Sequence, residues 1–453
     1  MSIYICIPVI TNLSYATVLR YSAKTLDDTN HIARIEAIRK FSGLLYQKGN
    51  ATSQVIDPGT AVSPQGWHVN GAFLESLIVK VWGSDSVAVR LVSYFIYKIL
   101  WIFITTFLLY VLLKTVQSSY LGSYSWVFES LSTAGVATVS LVLLTTVTGY
   151  GFQNFLASIA LVSSSIIIAI RYFRLQGNNR RTRTVYLLAL AVLSITTLYV
   201  WTLSGAIAGL ILLLILAKEL LGRYKAFLSW RYGTVALIVI ALAAVPVLQL
   251  SKHGSGRGIS TLDTTGAVPP ISAGGVFVLF LITALIINKL RIKAAGWLIA
   301  VLTLTGLEFF ALAAYQRLVL GDVRYYAVKL AFLLSAITSI FLIAGVIKLI
   351  NSHTKSSYLS AAIFILILVL LPALLGLSLR KSAYPLKDST PIEPSTAKQI
   401  LDLSAKDGNK DIVFNTPHGE ETYLANKLWS AVQLYNTPDR KVLLEKLGHQ
   451  VND

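Results

Sequence analysis

Cysteine, histidine and acidic residues are scarce in this chain of 453 residues, and each shortage excludes a class of site. The single cysteine, Cys6, lies in an apolar stretch, so no intrachain disulfide can form. The six histidines are scattered and form no His-Glu-x-x-His pattern, so no structural zinc site is predicted. Acidic residues number 21 against 39 lysines and arginines, which gives a net charge of +18.

In a soluble protein such an excess of positive charge would suggest a nucleic-acid partner. Here the basic residues stand in short connectors between apolar stretches, and no DNA- or RNA-binding motif is present. We therefore expect no nucleic acid as a partner. The lysines and arginines are expected to set membrane topology and to contact anionic lipids.

Long apolar stretches are what this sequence has in abundance: 55% of its residues are hydrophobic and only 13% are charged. A helix crosses a bilayer core with about 20 apolar residues, and so many stretches in series cannot all form the core of one soluble domain. The sequence predicts an all-α polytopic membrane protein with about eleven transmembrane helices. The candidate stretches are 3–20, 88–113, 126–149, 152–173, 184–201, 203–221, 232–250, 274–290, 294–314, 325–350 and 358–379.

Basic residues crowd every second connector, at 171–183, 218–231, 289–293 and 348–355. By the positive-inside rule these connectors are cytoplasmic, which places the N-terminus inside and the C-terminus outside. The loop 21–87 and the tail 380–453 are then extracytoplasmic. We expect a transmembrane domain over 1–379 and a small outer C-terminal region over 380–453.

The loop 21–87 is predicted to carry two amphipathic helices. Residues 29–46 place isoleucines at Ile32, Ile35 and Ile38, a helical spacing. Residues 72–82 repeat such a pattern over a length too short to span, which indicates a helix lying on the membrane surface. In the tail, DIVFNTP suggests a strand and ETYLANKLWSAVQLY a helix.

The densest polar cluster of the outer loop is the segment DDTNHIAR, which begins at Asp27. If a helix starts there, His31 and Arg34 follow Asp27 on one stripe. A carboxylate held near a histidine just outside a membrane could act as a general base. In the alternative interpretation, Asp27 or Asp28 caps the helix and the other polar residues form a solvated face.

Two further clusters lie at predicted outer surfaces. His68 ends the segment SPQGWH directly before the surface helix, where it could donate to a phosphate or a sugar hydroxyl, or follow a turn with an aromatic anchor. Lys329 lies about one turn into a late span that opens with Arg324 and Tyr326, where a cation is usually paired or functional. Glu308 is a potential partner for Lys329, and a lysine that extends to the interface is the simpler interpretation.

The three clusters, in this order and topology, resemble the GT-C superfamily of integral-membrane glycosyltransferases. The nearest likeness is to multi-pass proteins of actinobacterial cell envelopes that are similar to arabinofuranosyl- and mannosyltransferases. The likeness covers about residues 1–350. It rests on an acidic residue four before a histidine (Asp27 and His31), a Pro-x-x-x-His element (Pro64–His68) and a Tyr-Tyr-x-x-Lys element ending at Lys329.

The resemblance implies a GT-C-like fold and a catalytic centre at the outer face of the cell membrane. Asp27 would deprotonate an acceptor hydroxyl, and Asp28 would support it or bind a divalent cation, Mg²⁺ or Mn²⁺, as in metal-using members. His31 and His68 would orient the sugar or the phosphate, with His31 among the catalytic residues and Arg34 and His68 among the substrate-binding ones.

On the donor side, Arg324, Tyr326 and Lys329 would bind the substrate, with the two cations offsetting the charge of the leaving phosphate. The implied partners are a polyprenyl-phosphate-linked sugar donor, a glycan or glycolipid acceptor, and membrane lipids. Two other functions stay open at this point: a transporter or flippase of a lipid-linked sugar, and a non-catalytic envelope-assembly protein. Transporters typically carry internal repeats, and none is evident here.

Overall fold

The computed structural model describes residues 14–22, 25–42, 44–45, 64–118, 126–175, 180–222, 271–289, 295–353 and shorter pieces between 365 and 429. Every regular element in these ranges is helical, which confirms the all-α prediction for the part described. The helices are α1 (Tyr15–Ser22), α2 (Leu26–Phe41), α3 (Gly66–Trp82), α4 (Val87–Gln117), α5 (Trp126–Val139), α6 (Thr145–Gly149), α7 (Gln153–Arg174), α8 (Arg180–Val200), α9 (Thr202–Gly222), α10 (Ala273–Lys289), α11 (Ala295–Leu320), α12 (Tyr325–His353) and α13 (Pro394–Lys406).

Five helical stretches of the described residues are long and apolar enough to cross a membrane, as a multi-pass membrane protein requires. They match the predicted spans at 88–113, 126–149, 152–173, 184–201 and 325–350. The predicted spans at 203–221 and 274–290 contain shorter apolar helices. Most or all of 3–20, 232–250 and 358–379 lies outside the described residues, so a count of eleven stays a prediction.

The chain forms two compact units. The first contains the chain up to Phe103, the short segment Thr148–Asn154 and the tail from Tyr384. Within it α13 packs on α1, and Arg20 donates to the backbone oxygen of Ile392 at 2.8 Å. In the tail, the side-chain amide of Asn426 pairs with both the N–H and the C=O of Phe414, as a neighbouring strand would. The strand suggested for this part of the tail is not formed at 414–416, the portion of it that the structure describes.

The structure forms a helix where the sequence predicts one over 29–46, but α2 spans Leu26–Phe41 and its cap is a different residue. The cap residue is Thr25, whose hydroxyl accepts from the backbone N–H of Asp28 at 3.1 Å. The alternative in which Asp27 or Asp28 caps the helix is therefore wrong, because both lie inside the first turn. Their negative charges still favour this end of the helix, where the backbone N–H groups point outward.

Helix α3 begins at Gly66, earlier than the predicted 72, and packs along α2. The two helices approach closely at Gly71, where a Cβ atom would lie 2.7 Å from Cδ1 of Ile35. A larger residue at this point would require the buried side chain of Ile35 to shift. The close contact helps to bury Ile32, Ile35 and Ile38, the isoleucines that predicted α2.

An ionic network joins α2 and α3 to the start of α4. Arg90 donates to Glu36 at 2.8 Å, while Arg39 donates to Glu75 and, at 2.9 Å, to Asp85. Burial raises the pKa of Glu75 well above its ordinary value, and the Glu36 carboxylate adds to the shift while Arg39 opposes it. These paired charges orient α2 and α3 at the N-terminal end of α4.

The second unit contains Ile104–Val147 and Phe155–Ala383 and is built around α12. The apolar part of α12, Tyr325–Ile350, is buried throughout, and α5, α10 and α11 pack against it. A helix that is apolar on all sides is expected at the centre of a bundle. Between α5 and α6 the chain passes through a π-helical turn at Ser140–Leu144, a local distortion that is often found near functional sites.

Candidate functional site

The carboxylate of Asp28, at the start of α2 in the first unit, is fully buried. Its Oδ1 atom accepts from Lys98 Nζ at 2.9 Å and from the Tyr94 hydroxyl at 3.0 Å, both on α4. The Gln153 amide approaches the same oxygen at 3.4 Å, and the Thr25 hydroxyl lies 3.2 Å from Oδ2. Burial raises the pKa of the Asp28 carboxyl, and the neighbouring Lys98 ammonium opposes that rise. Asp28 is thus held by several donors and has little freedom to move.

Two imidazoles, on α2 and α3, contact each other in the same unit. His31 lies one turn along α2 from Asp28, and its Nδ1 atom is 2.8 Å from Nε2 of His68 on α3. The other ring nitrogen of His31, Nε2, is 3.2 Å from the backbone oxygen of Gly151. The indole of Trp67 packs against both imidazoles, with ring centroids 5.1 Å from His31 and 5.3 Å from His68. The structure therefore brings the predicted His31 and His68 into contact, and the segment 148–154 contacts both His31 and Asp28.

The segment 148–154 links these side chains into one centre and depends on Gly151. Gly151 has φ +77, a left-handed backbone conformation that favours glycine, and a Cβ atom there would clash with the Thr25 hydroxyl. Its closeness to the cap of α2 lets its carbonyl reach His31. The predicted spans at 126–149 and 152–173 leave only a short connector here, and the sequence assigns no role to Gly151 or Gln153. Two glycines followed by a glutamine in GYGFQN are the signal that could have indicated a structured turn.

Sequence reasoning also missed Tyr94, Tyr97 and Lys98 on α4. The Tyr97 hydroxyl donates to the backbone oxygen of Trp67 at 2.6 Å, and Lys98 also donates to the backbone oxygen of Tyr21 at 3.2 Å. A tyrosine followed one turn later by a second tyrosine and a lysine is unusual inside a predicted span, because polar groups there are costly unless they are paired. That pattern is visible in the sequence segment SYFIYK and could have pointed to the site.

Asp27 and Arg34 lie at the edge of the centre. Both are half-buried, whereas Asp28 and His31 are buried. The guanidinium of Arg34 lies close enough to contribute to lowering the pKa of His68, after the larger effect of burial. Asp27 is thus the more accessible of the two neighbouring carboxylates.

The remaining predicted residues lie in the second unit. Lys329 is buried and donates to the hydroxyl of Tyr325 at 2.6 Å, with its ammonium 3.9 Å from the centroid of that ring. Tyr326 packs edge-on against Tyr325. Arg324 bonds to Asp322 at 3.0 Å, and its backbone N–H donates to Gln316, so this residue helps to shape the turn between α11 and α12.

Asp28 does not suit a divalent cation in its present contacts. A Mg²⁺ or Mn²⁺ ion at its carboxylate would lie beside the Lys98 ammonium, 2.9 Å from Oδ1, and would be repelled by it. Within the described ranges, no group of three or more histidine, cysteine, aspartate or glutamate side chains could hold a metal ion. A cation at Asp27 and Asp28 is an implication of the resemblance alone.

Comparisons of this chain with protein-family models, with curated proteins and with solved structures found no match.

Proposed function

We propose that this protein is a GT-C-type glycosyltransferase that uses a polyprenyl-phosphate-linked sugar at the outer face of the cell membrane. The observation that carries the proposal is the buried centre of Asp28, His31 and His68, which α2, α3, α4 and the segment 148–154 assemble. An acid–histidine centre of this kind is suited to proton transfer and to binding hydroxyl groups.

The length of α4 supports a position for this centre near the bilayer surface. Its 31 residues extend about 46 Å at about 1.5 Å per residue, whereas a bilayer core is about 30 Å thick. Along this fully described helix, large apolar side chains are exposed only from Ile96 onward, at Ile96, Leu100, Phe103 and Phe107. Such a stripe is expected where the helix enters lipid. Tyr94 and Lys98 then lie at the surface end of α4.

Helix α3 carries a matching apolar stripe. Phe73 and Val81 are 73% and 76% exposed, and Leu77 and Trp82 lie with them on the surface of the helix. These exposed apolar residues support the proposal that α3 lies in the membrane interface, with Trp82 at headgroup level. The acid–histidine centre would then face the boundary where a lipid-linked sugar and an outer acceptor can meet.

In the proposed reaction Asp27 takes the proton of the acceptor hydroxyl. At the same time the hydroxyl oxygen attacks the anomeric carbon of the donor sugar. The bond between that carbon and the phosphate oxygen breaks, and polyprenyl phosphate leaves with the bonding electrons. Asp28 positions the start of α2, because its own oxygens are occupied by Lys98, Tyr94 and Thr25. The resemblance assigns the phosphate side of the reaction to Arg324, Tyr326 and Lys329.

A transfer assay with the full chain in lipid nanodiscs tests the proposal. The donors are polyprenyl-phosphate-linked pentoses and hexoses carrying a radiolabelled sugar, and the acceptors are fractionated envelope glycans and glycolipids. We expect label to move from at least one donor into acceptor. Failure to transfer from any donor would contradict the proposal. Movement of intact donor between leaflets in liposomes, without transfer, would instead identify a transporter.

The orientation can be tested independently by cysteine labelling in intact cells after Cys6 is replaced by serine. A membrane-impermeant maleimide should modify Ser260→Cys and Gln399→Cys, and should spare Asn178→Cys until the membrane is permeabilised, because the basic connector 171–183 is expected inside. Gln399 is exposed on α13. Labelling of Asn178→Cys in intact cells would reverse the orientation and would place the acid–histidine centre on the cytoplasmic side.

A further inference from the structure

One ring nitrogen of the buried histidine pair, Nδ1 of His68, has no hydrogen-bond partner among the described residues. His68 is completely buried, and its Nδ1 atom makes no hydrogen bond to any described residue. The Nε1 atom of the adjacent Trp67, also completely buried, is in the same state. Leaving a buried polar atom unsatisfied is costly, so these two atoms, which belong to consecutive residues, mark a place where a ligand group could bind.

The hydrogen bonds of the pair determine which hydrogens it carries. A carbonyl oxygen only accepts, so His31 Nε2 must carry a hydrogen to bond to Gly151. In a neutral His31 the Nδ1 atom then accepts, and the hydrogen between the rings belongs to Nε2 of His68. A neutral His68 with its hydrogen on Nε2 leaves Nδ1 as a bare lone pair, which can only accept a hydrogen bond.

The charges around the rings favour this neutral arrangement. Burial lowers the pKa of His68 well below its ordinary value, and the positive charge of Arg34 lowers it further. Asp28, a fully buried carboxylate one turn before His31 on α2, is already paired with Lys98. It therefore offers no uncompensated negative charge to an imidazolium.

The sequence left two ligands open for His68, a phosphate and a sugar hydroxyl. An unprotonated Nδ1 atom can bind only the one that donates a hydrogen. Phosphate oxygens at neutral pH are mainly acceptors, so they would face the lone pair without a hydrogen between them. A sugar hydroxyl has one hydrogen to donate to Nδ1 of His68 and lone pairs to accept from the indole N–H of Trp67. The two rings belong to consecutive residues, and their centroids are 5.3 Å apart.

We infer that Trp67 and His68 form a subsite for a sugar hydroxyl, in which His68 Nδ1 accepts and Trp67 Nε1 donates. Val69 and Asn70, next along α3, are exposed, so this end of the helix lies near the surface from which a sugar can approach. The inference rests on the proposed function and deepens it, because it assigns the subsite to the sugar and not to the phosphate of the substrates.

Two substitutions separate the subsite from the packing of the histidine pair. In His68→Gln the side-chain amide can replace the Nε2–H bond to His31 but offers no acceptor where Nδ1 stands. In His68→Asn the shorter amide can place an oxygen near the Nδ1 position but loses the bond to His31. We expect His68→Gln to keep a melting temperature near that of the unchanged chain and to lose sugar binding. We expect His68→Asn to retain part of the binding.

The test is solid-state NMR of the full chain in lipid bilayers with ¹⁵N-labelled histidine, with His68 assigned by difference from His68→Gln. We expect Nδ1 of His68 to be unprotonated at pH 7. Its resonance should shift on addition of methyl glycosides, from a panel of pyranosides and furanosides, and should not shift with inorganic phosphate. A protonated Nδ1, a response to phosphate, or no response to any glycoside would overturn the inference.

The outcome is separable from that of the transfer assay. Sugar transfer by a protein whose His68 Nδ1 is protonated would leave the proposed function in place and remove the subsite. If glycosides bind at an unprotonated Nδ1 but the protein transfers no sugar from any donor, the subsite stands and the proposed function falls.

Discussion

Replacing Asp27 with asparagine should lower the rate of sugar transfer by roughly 10²–10⁴-fold, the usual cost of losing a general base, and leave the fold intact. Asp27 is half-buried at the edge of the acid–histidine centre, so its carboxylate can meet an acceptor hydroxyl. Asparagine keeps the shape of the side chain and removes its basicity. The transfer assay gives the rate, and a melting curve in detergent checks that the protein is folded.

Asp28→Asn is the matched control, because it makes the same chemical change at the next residue. Asp28 is fully buried and bonded to Tyr94 and Lys98, so its loss should act mainly on stability. Per folded molecule, Asp28→Asn should retain more activity than Asp27→Asn. The opposite ranking would make Asp28 the base, and full activity in both variants would remove catalysis from this end of α2.

The sequence predicted the elements of this site better than their contacts. The isoleucines at Ile32, Ile35 and Ile38 predicted α2 because a helical apolar stripe is a local pattern that survives in the fold. The alternative that Asp27 or Asp28 caps the helix is wrong, since threonine and aspartate both favour helix starts and only the backbone path decides between Thr25 and its neighbours.

The partners of Asp28 could not be predicted in the same way. Lys98 and Gln153 lie far from Asp28 along the chain, and no periodicity links them to it. What brings them together is packing: α4 passes beside the start of α2, and Gly151 allows the segment 148–154 to approach Thr25 closely. The spacing of Asp27 and His31 suggested one stripe, yet it is Asp28 that shares the buried centre with His31.

The largest stability effect is expected at the buried ion pair of Asp28 and Lys98. The two groups are 2.9 Å apart, and their side chains are 0% and 5% exposed. Breaking a buried pair by removing one partner leaves an uncompensated charge and typically costs about 3–5 kcal/mol. We expect Asp28→Asn and Lys98→Met each to lower the free energy of unfolding by about this amount, measured by unfolding in SDS.

The double variant Asp28→Asn/Lys98→Met distinguishes this pairing from simple loss of packing. With both charges gone, no buried charge is stranded, so the double variant should be more stable than the sum of the single changes by about 1–3 kcal/mol. Asp322→Asn is the exposed control, since Asp322 pairs with Arg324 at 3.0 Å while its side chain is 62% exposed. Its effect should stay within about 1 kcal/mol. Additive single changes would mean that Lys98 acts through its bond to the Tyr21 carbonyl, and that the carboxylate of Asp28 is held by Tyr94 and Thr25 alone.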